Sequence, residues 1–368
     1  MPSPIRILTA VPICDGHDSA INTINLELVQ RGVEVIYLGF HRSAKDIARA
    51  AVQEDVRAIG ISSYNGGHVA FFAEVIDRLR GLGAQDIGVF GGGGGTISEA
   101  DAAKMRRKGV DHIFFAGTPL ASIVDTILKT YGGLRALKRR RDATGDGRLA
   151  QQLTEVETHR DAAPKKTMNG TAKIIGITGP GGAGKTTLID ELVLRLLNAD
   201  PALRIAILSH DPSVRGRGAL LGDRAAMIYS QDDRVFMRSL ATRGRAGGLA
   251  PSSERSLDLL AGGGFGMIFV ETVGTGQEAT PFAKAHVDQT LLVMNPDYGS
   301  RLQLHKIAML EEAGSIVVNK SDLARAKAAM LEIDRRIERN GRGQTLIATV
   351  AKHHRDPGVD ELFRRITA

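Results

Sequence analysis

The residues best suited to chemistry form a glycine-rich run that ends in a lysine and a threonine. The run reads Gly179-Pro180-Gly181-Gly182-Ala183-Gly184-Lys185-Thr186, and Thr187 follows it directly. It fits the pattern G-x-x-x-x-G-K-[ST] and stands between an apolar run and a helical pattern, the context in which this pattern marks a phosphate site. Small residues let backbone N–H groups close around phosphates, and the start of a helix adds partial positive charge. We therefore predict that this run and Thr187 cradle a nucleotide, with Lys185 on the β- and γ-phosphates and the Thr186 hydroxyl on Mg²⁺.

A tetrapeptide further along the chain indicates which base the nucleotide carries. Asn319-Lys320-Ser321-Asp322 ends an apolar run and fits the pattern N-K-x-D. An aspartate at this position can accept hydrogen bonds from both N–H groups of guanine, which adenine does not offer. We therefore predict GTP, with Asn319, Lys320 and Asp322 in the base pocket. Ala351 and Lys352, after the next apolar run, are candidates for a further wall of that pocket.

Three carboxylates between these motifs are candidate Mg²⁺ ligands, since Mg²⁺ prefers oxygen. Asp211 follows one apolar run, Asp223 lies further along the same loop, and Glu271 ends another run just before Thr272. The carboxyl ends of parallel strands face the crevice where α/β folds bind ligands. Each residue alone could be a turn former, so the prediction depends on their convergence. We predict that the metal ligands are Thr186, Asp211, Asp223, Glu271 and Thr272. We also predict a catalytic role for Glu271 beside Lys185.

The loop after Glu271 and the loop after Asp211 supply further candidates. Gly274 could bond the γ-phosphate through its backbone N–H, and Gln277 is a candidate for positioning the attacking water. Arg224 is predicted to contact phosphate or a partner.

These residues require elements that bring them to one edge of a sheet. Continuous apolar runs alternate with helical patterns, which is typical of parallel sheets covered on both faces. The runs lie at 5–10, 33–39, 57–63, 86–92 and 112–117, and again at 172–179, 203–209, 266–272, 290–295, 315–320 and 345–350. We predict an α/β chain with a flavodoxin-like (Rossmann-like) domain over 1–134, a basic linker over 135–170 and a P-loop GTPase domain over 171–368. Both domains are expected to be doubly wound, with mainly parallel sheets.

Composition limits the function classes. The 368 residues are 43% hydrophobic and 24% charged, with no apolar run of transmembrane length and a single cysteine, Cys14. We expect a cytoplasmic protein without a membrane partner. The net charge of +7 invites a nucleic-acid partner, but aromatic residues make up only 4%, so we expect none. Nine Lys and Arg against five acids fall within 131–170, which favours a solvated linker over a basic docking surface.

The second domain resembles a known family. The segments GPGGAGKTT, DPSVRGRGALLGDR, RSLATRG, ETVGTGQ and NKSD are similar to those of the G-protein chaperones that guard cofactor loading on acyl-CoA mutases. The resemblance covers residues 172–368. The glutamate of ETVG, where small GTPases commonly carry aspartate, is a mark of that class. Ala226 departs from it, because the fused mutases tend to carry a second arginine two positions after Arg224.

The first domain resembles the cobalamin-binding domains in which a protein histidine replaces the cofactor's own base. Asp15-Gly16-His17 is similar to their D-x-H motif, which implies that His17 is the lower axial ligand of cobalt and that Asp15 bonds its other ring nitrogen. The family's later marks fall in register at Ser62-Ser63-Tyr64 and at the glycine run that begins with Gly91-Gly92. In that family the glycines leave room for the nucleotide tail of the cofactor. The fuller motif D-x-H-x-x-G is incomplete, because Ala20 stands where it has glycine.

Together the two domains resemble the fused isobutyryl-CoA mutases, which continue into a TIM barrel that binds acyl-CoA. The resemblance implies an adenosylcobalamin-binding mutase subunit joined to its GTP-hydrolysing chaperone. It also implies a barrel partner, an adenosyltransferase as a further candidate partner, and a hetero-oligomer or homodimer. Two alternatives stay open: a stand-alone GTP-dependent cobalamin carrier, and a methyl-transferring corrinoid protein. The latter is disfavoured because its usual helical cap is absent before the first apolar run near Ile5.

Overall fold

The computed structural model describes residues 4–13, 15–133, 145–158, 172–214, 216–274, 281–282, 286–298 and 308–368. The chain forms two compact units that interleave along the sequence. The first unit comprises Met1–Ala162, Ser213–Ala225 and Met237–Arg243, and the second comprises Ala163–Pro212, Ala226–Phe236 and Gly244–Ala368. The division predicted from the sequence, into the consecutive segments 1–134, 135–170 and 171–368, does not include this interleaving.

The first unit contains a six-stranded parallel sheet. Its strands in chain order are β1 (Arg6–Ala10), β2 (Glu34–Tyr37), β3 (Ala58–Ser62), β4 (Gly88–Gly92), β5 (His112–Phe114) and β8 (Ala219–Leu221). They lie side by side in the order β5-β4-β3-β1-β2-β8. The first five follow the flavodoxin order, which confirms the predicted fold class and puts the topological switch point between β1 and β3.

Helices cover both faces of this sheet. They are α1 (Ser19–Gln30), α2 (Ala44–Gln53), α3 (His68–Gly81), α4 (Glu99–Lys108) and α5 (Leu120–Tyr131). A further helix, α6 (Gly145–Thr158), contacts α2. A cluster around Leu8, Ile47, Ile59 and Phe72 includes residues of α2, α3 and α4, and a second cluster around Ile7 includes residues of α1 and α5 on the other face. The core therefore forms two layers, one on each side of the sheet.

The predicted linker contains a structured helix. α6 has 14 residues, and Leu149, Ala150, Leu153 and Val156 on it are buried. Residues 134–144 and 159–171 lie outside the described part of the chain. Part of the segment predicted to be solvated linker is thus a packed element, because four apolar residues recur at helical spacing among the charges.

The second sheet has seven strands in the order β13-β12-β11-β6-β10-β7-β9, and they belong to the second unit except for β9, whose residues from Met237 onward belong to the first unit. Its strands are β6 (Lys173–Thr178), β7 (Ile205–Asp211), β9 (Val235–Ala241), β10 (Met267–Glu271), β11 (Gln289–Met294), β12 (Ser315–Val318) and β13 (Thr345–Ala348). The helices of the second unit are α7 (Lys185–Ala199), α9 (Ser253–Ala261), α10 (Met309–Glu312), α11 (Ala326–Asn340) and α12 (Pro357–Thr367). The short α8 (Asp223–Ala226) lies between α7 and α9 in the chain and belongs mainly to the first unit. This is the predicted doubly wound α/β architecture.

Local signals explain several helix starts. Ser43 and Asp46 form a reciprocal capping box at α2, and the Asp356 side chain accepts the Val359 N–H at α12, where Pro357 takes the first helical position. None of the described helices combines the length and the apolar character that a membrane span requires.

Two strands were not predicted from the sequence. β8 has only three residues and lies in a loop rich in glycine and arginine, so no apolar run marks it. β9 is fully buried along seven residues but contains Arg238 and Ser239, which break the apolar pattern. β8 pairs with β2, and Arg238 of β9 forms an ion pair with Glu157, so partners distant in the sequence stabilise both strands.

Candidate functional site

The loop after β1 presents a histidine that one aspartate holds in place. Asp15 Oδ1 accepts hydrogen bonds from the His17 backbone N–H at 3.0 Å and from His17 Nδ1 at 2.8 Å. Asp15 Oδ2 accepts from the backbone N–H groups of Tyr64 and Asn65, which follow β3. Asp15 is buried, while the His17 side chain is 62% exposed. The carboxylate thus anchors the β1 loop to the β3 loop at the switch point.

These bonds fix both the charge of Asp15 and the tautomer of His17. Burial favours the neutral carboxyl, but the backbone N–H groups of His17, Tyr64 and Asn65 outweigh it and lower the pKa of Asp15. An ionised Asp15 accepts a hydrogen bond from His17 Nδ1–H, which selects the neutral tautomer with the lone pair on Nε2. Nε2 has no hydrogen-bond partner among the residues the structure describes. The Tyr64 ring lies with its centroid 4.7 Å from the imidazole, tilted by 39°, and restricts its rotation.

The layer between the sheet and α1 contains polar atoms without partners. Thr9 is fully buried and Asn25 is 1% exposed, and neither the Thr9 hydroxyl nor the Asn25 amide has a hydrogen-bond partner. Thr9 follows Ile7 on the sheet face that α1 covers, and Asn25 lies on the buried side of α1. An unsatisfied buried polar group costs about 1–3 kcal/mol, so this layer suits a ligand that carries hydrogen-bonding groups. The residues here therefore fit a corrin cofactor with a polar tail.

The serines and glycines of the later motifs lie at the ends of β3 and β4. Ser62 ends β3, and Ser63 is buried with its N–H on Gly92 O at 2.9 Å. A Cβ atom at Gly91 would lie 2.4 Å from the Phe72 ring, and one at Gly92 would lie 2.7 Å from Phe114 O. Close approach of protein atoms therefore explains why these positions carry no side chain, and space for a cofactor tail stays a prediction for them.

The glycine-rich run forms a turn between β6 and α7. Gly182 and Gly184 have φ angles of +75° and +87°, a region in which glycine is strongly preferred. Lys185 is 7% exposed, and its Nζ donates to Gly179 O at 3.1 Å and to Pro180 O at 3.3 Å. The ammonium therefore lies folded over the loop, where a phosphate would take over its hydrogen bonds.

The predicted metal residues at the end of β10 lie beside this loop. Thr186 Oγ1 donates to Glu271 Oε1 at 2.8 Å, and Thr272 Oγ1 donates to Thr178 Oγ1 at 3.0 Å. Glu271 is 3% exposed and is aligned with Ile177 in the pairing of β10 with β6. A Cβ atom at Gly274 would lie 2.6 Å from Gly181 N, so the loop after Glu271 reaches the phosphate loop. Thr186 and Glu271 together offer oxygens of the kind that Mg²⁺ prefers.

Asn319, the first residue of the base motif, forms hydrogen bonds with two loops. Its Nδ2 donates to Ala183 O in the phosphate loop at 2.9 Å, and its Oδ1 accepts from Thr349 Oγ1 at 3.1 Å and from the Ala351 N–H at 3.0 Å. Asn319 thus ties the phosphate loop to the loop after β13. The neighbouring Lys320 has a φ of +59°, an uncommon region for a side chain of its kind.

The carboxylate expected to recognise guanine lies exposed next to Asn319 and Lys320 in sequence. Lys352 Nζ donates to Asp322 Oδ2 at 2.6 Å, and this hydrogen bond lowers the pKa of Asp322. The aspartate is therefore ionised at neutral pH, as recognition of two guanine N–H groups requires.

The remaining predicted residues lie elsewhere. Asp211 ends β7 in the second unit, whereas Asp223 and Arg224 begin α8 in the part that belongs to the first unit. The Arg224 guanidinium donates to Glu54 and Gln53, so its role at a nucleotide stays a prediction, as does the metal role of Asp211 and Asp223. Gln277 lies outside the described residues. Within the described part of the chain, no three His, Cys, Asp or Glu side chains form a ready-made metal cluster.

Comparison with known proteins gives both halves a family. The family model of the methylmalonyl Co-A mutase-associated GTPase MeaB matches residues 149–368, and that of the B12 binding domain matches residues 5–124. The chain belongs to the MeaB family. In front of its MeaB-type GTPase it carries a B12-binding domain, so it is a cobalamin-binding subunit fused to a chaperone GTPase.

Two relatives align with nearly the whole chain. The fused isobutyryl-CoA mutase of Cupriavidus metallidurans is 38% identical over 98% of this chain and 35% of that protein. The one of Geobacillus kaustophilus is 34% identical over 98% of this chain and 36% of that protein. This MeaB-family chain thus spans about a third of these relatives. A solved cobalamin-binding protein of Desulfitobacterium hafniense is 25% identical, with a TM-score of 0.30, over 36% of this chain and 60% of that chain.

Sequence reasoning missed the side chains that support these sites. His210, 2% exposed, bonds Glu271 O through Nδ1 and Ser253 Oγ through Nε2, both at 2.7 Å. Asp190 on α7 accepts from the backbone N–H groups of Ile228 and Tyr229, and burial raises its pKa to about 6. The sequence signal for such residues is weak, because no motif sets them apart from the polar residues beside them, Ser209 and Asp211 for His210 and Glu191 for Asp190.

Proposed function

We propose that this chain binds adenosylcobalamin with His17 as the lower axial ligand of cobalt. The observation that carries the proposal is the Asp15–His17 pair, in which Asp15 holds Nδ1 at 2.8 Å and the exposed ring presents Nε2. A carboxylate on the second ring nitrogen is the usual arrangement behind a metal-bound imidazole. The bound cofactor supplies a cobalt–carbon bond that can break homolytically, while the protein orients and shelters it.

In the second unit we propose Mg²⁺-dependent hydrolysis of GTP. Lys185 would neutralise phosphate, Thr186 and Glu271 would hold Mg²⁺, with Asp211, Asp223 and Thr272 as further candidates. Asp322 would select guanine, and Gln277 would position water. Support comes from the Thr186–Glu271 hydrogen bond and from Asn319, which joins the phosphate and base loops.

The biological role we propose is that of the cofactor-carrying part of an acyl-CoA mutase. A TIM-barrel partner, in the same protein or on a second chain, would bind the acyl-CoA, with isobutyryl-CoA and n-butyryl-CoA as the interconverted pair. GTP hydrolysis would gate the loading of intact cofactor. A cytoplasmic setting, a hetero-oligomer or homodimer and an adenosyltransferase donor belong to the same proposal. Its support is the joint match of the B12-binding and MeaB models.

Replacement of the proposed ligand tests the cobalamin site. In His17→Ala we expect adenosylcobalamin affinity to fall at least about tenfold, since ligand orientation alone is worth that much at metal sites. The absorption spectrum of the bound cofactor should also change, and GTP hydrolysis should persist. Equilibrium titration followed by absorbance measures the first two, and phosphate release measures the third.

Two further variants serve as controls. His112→Ala removes a half-buried histidine of the same unit, which bonds Thr130, and should leave cobalamin binding intact. Lys185→Ala should show the opposite pattern, with hydrolysis lost and cobalamin retained. A His17→Ala protein with unchanged affinity and spectrum would refute the ligand role.

A further inference from the structure

A segment from the GTPase half of the sequence forms part of the cobalamin-binding unit. Residues 213–225, described except for 215, follow Asp211 and Pro212, and we call them the coupling segment. They fall within the stretch matched by the MeaB model, yet they belong to the first compact unit. Their strand β8 pairs with β2 in parallel, with Ala219 opposite Glu34 and Leu221 opposite Ile36.

Buried charges hold the end of this segment. Arg224, 4% exposed, donates to Glu54 Oε1 at 3.1 Å, and Glu54 in turn accepts from Arg6 at 2.7 Å. Breaking a buried ion pair by removing one partner is strongly destabilising, so the segment has few alternative positions within the unit. A displacement of the segment would therefore also displace the residues that it contacts.

Residues that contact the coupling segment also contact the loop after β1, which carries the proposed cobalt ligand His17. Arg42 donates from its guanidinium to Ala225 O at 2.8 Å, at the end of the coupling segment. The same residue donates its backbone N–H to Val11 O at 3.1 Å and pairs with Pro12 through a parallel bridge. Pro12 O accepts the Asp15 N–H at 3.0 Å. One arginine thus joins the segment to the loop that carries Asp15.

A second route runs along β2. The strand that pairs with β8 ends at Tyr37, whose hydroxyl donates to Asp18 Oδ2 at 3.1 Å. Asp18 follows His17 in the chain. The His41 ring, beyond the end of β2, bonds Ile13 O at 2.9 Å. The loop is therefore held from both sides by residues that depend on the position of β2.

The chain on either side of the coupling segment belongs to nucleotide-site elements. Two residues before it, β7 ends at Asp211. Shortly after it, Ile228 and Tyr229 donate backbone N–H groups to Asp190 on α7, the helix that starts at Lys185. Because the segment is covalently joined to these elements, a change in their position on binding GTP, GDP or Mg²⁺ would also move the segment.

From these contacts we propose that the coupling segment, acting through its pairing with β2 and through Arg42, links the nucleotide state to cobalamin affinity. This inference deepens the proposed function and depends on it. Allosteric coupling of this kind typically changes affinity by about 5- to 150-fold, and it is reciprocal between the two ligands. Arg42 needs to touch neither ligand, whereas Asp223, within the segment, is itself a candidate Mg²⁺ ligand.

A matched pair of glycine variants tests the pairing with β2. A Cβ atom at Gly218 would lie 2.0 Å from Val33 O, so Gly218→Ala must displace the start of β8. Gly222, just beyond β8, has no atom within 4 Å of such a Cβ, so Gly222→Ala serves as the control. The measurement is adenosylcobalamin affinity of the whole chain with GDP–Mg²⁺ and with guanosine 5′-(β,γ-imido)triphosphate–Mg²⁺.

In the wild type, and equally in Gly222→Ala, we expect the adenosylcobalamin affinity with one nucleotide to differ at least about fivefold from the affinity with the other. Gly218→Ala should bring this ratio to within about twofold while both ligands still bind. If Gly218→Ala fails to fold, Arg42→Met decides, with the exposed Arg106→Met as its control. In Arg42→Met the ratio should likewise collapse.

Two results would overturn the inference. One is a wild-type affinity that does not depend on the nucleotide; the other is a ratio that survives in Gly218→Ala, or in Arg42→Met where the former does not fold. With His17-dependent cobalamin binding and GTP hydrolysis intact, these results leave the proposed cobalamin and GTP sites standing. A wild-type chain that binds no cobalamin overturns both.

Discussion

At the scale of single residues, each site depends on one side chain that makes several hydrogen bonds. Asp15 accepts two hydrogen bonds on Oδ1 and two on Oδ2, which fixes the loop and the imidazole together. Asn319 makes three hydrogen bonds and does the same for the phosphate and base loops. Such residues contribute positional accuracy, because their partners come from separate strands.

The base preference is a prediction at this scale. Asp322→Asn exchanges one acceptor oxygen for an amide N–H, which repels the N–H groups of guanine and suits the C2 carbonyl of xanthine. Loss of a charge-assisted hydrogen bond costs about 1.5–3 kcal/mol, so GTP affinity should fall roughly ten- to hundredfold, while XTP gains. Competition binding with both nucleotides measures this preference. The exposed Asp334→Asn is the control, and an unaltered preference in Asp322→Asn would mean that the base binds elsewhere.

At the scale of elements, a buried ionic network connects segments that the sequence separates widely. Four arginines and three glutamates form it: Arg6, Arg224, Arg238, Arg243, Glu34, Glu54 and Glu157. The network holds β8, β9 and α6 to the first two strands of the sheet, since each of these elements contributes or adjoins a member. Glu157 of α6 bonds Arg238 at 2.6 Å.

The network predicts an acid-sensitive stability. Burial alone raises the pKa of Glu157, but the charges of Arg238, Arg6 and Arg243 outweigh it, and the net pKa lies below the ordinary 4.5. A carboxyl with a lowered folded-state pKa stabilises fully above about pH 4.5 and loses that contribution as the pH falls through the folded value. Glu157→Gln should therefore reduce the free energy of unfolding by about 3–5 kcal/mol at pH 7.

Denaturant unfolding at pH 7 and at low pH measures this effect. The difference between wild type and Glu157→Gln should shrink in acid, because the wild type loses the same charge. Glu74→Gln removes a glutamate from an exposed pair with Arg78 and should change the stability by less than about 1 kcal/mol. Equal effects of the two substitutions would contradict the assignment.

At the scale of the whole molecule, the chain joins two α/β units and spans 35–36% of its fused relatives. Its described residues contain candidate cobalamin and nucleotide sites. We proposed above that the acyl-CoA site belongs to a TIM-barrel partner, and this division of labour is testable by reconstitution.

Addition of a TIM-barrel acyl-CoA mutase subunit is the corresponding experiment. With adenosylcobalamin and isobutyryl-CoA, isomerisation should appear only when both chains are present, and it should vanish with His17→Ala. Chromatographic detection of n-butyryl-CoA measures the product. Co-elution of the two chains tests the partnership separately, and isomerase activity of the barrel subunit alone would contradict the role assigned to this chain.

The sequence by itself determined the fold class, the phosphate and base motifs, and the D-x-H loop. These features are local: apolar runs specify buried strands, and the run at 179–186 and the tetrapeptide at 319–322 need only their flanking elements. The Asp15–His17 hydrogen bond spans two residues and follows from the motif.

Tertiary structure alone decided the interleaving of the units, the strand β8 and the ionic network. Arg6 donates to Ser239 O across 233 residues, and Arg224 reaches Glu54 across 170. A buried charge is stable only when a partner compensates its desolvation, and a partner so distant in the chain leaves no periodic mark in the sequence. The same reason explains why the sequence did not reveal the contacts of Arg224 with Glu54 and Gln53.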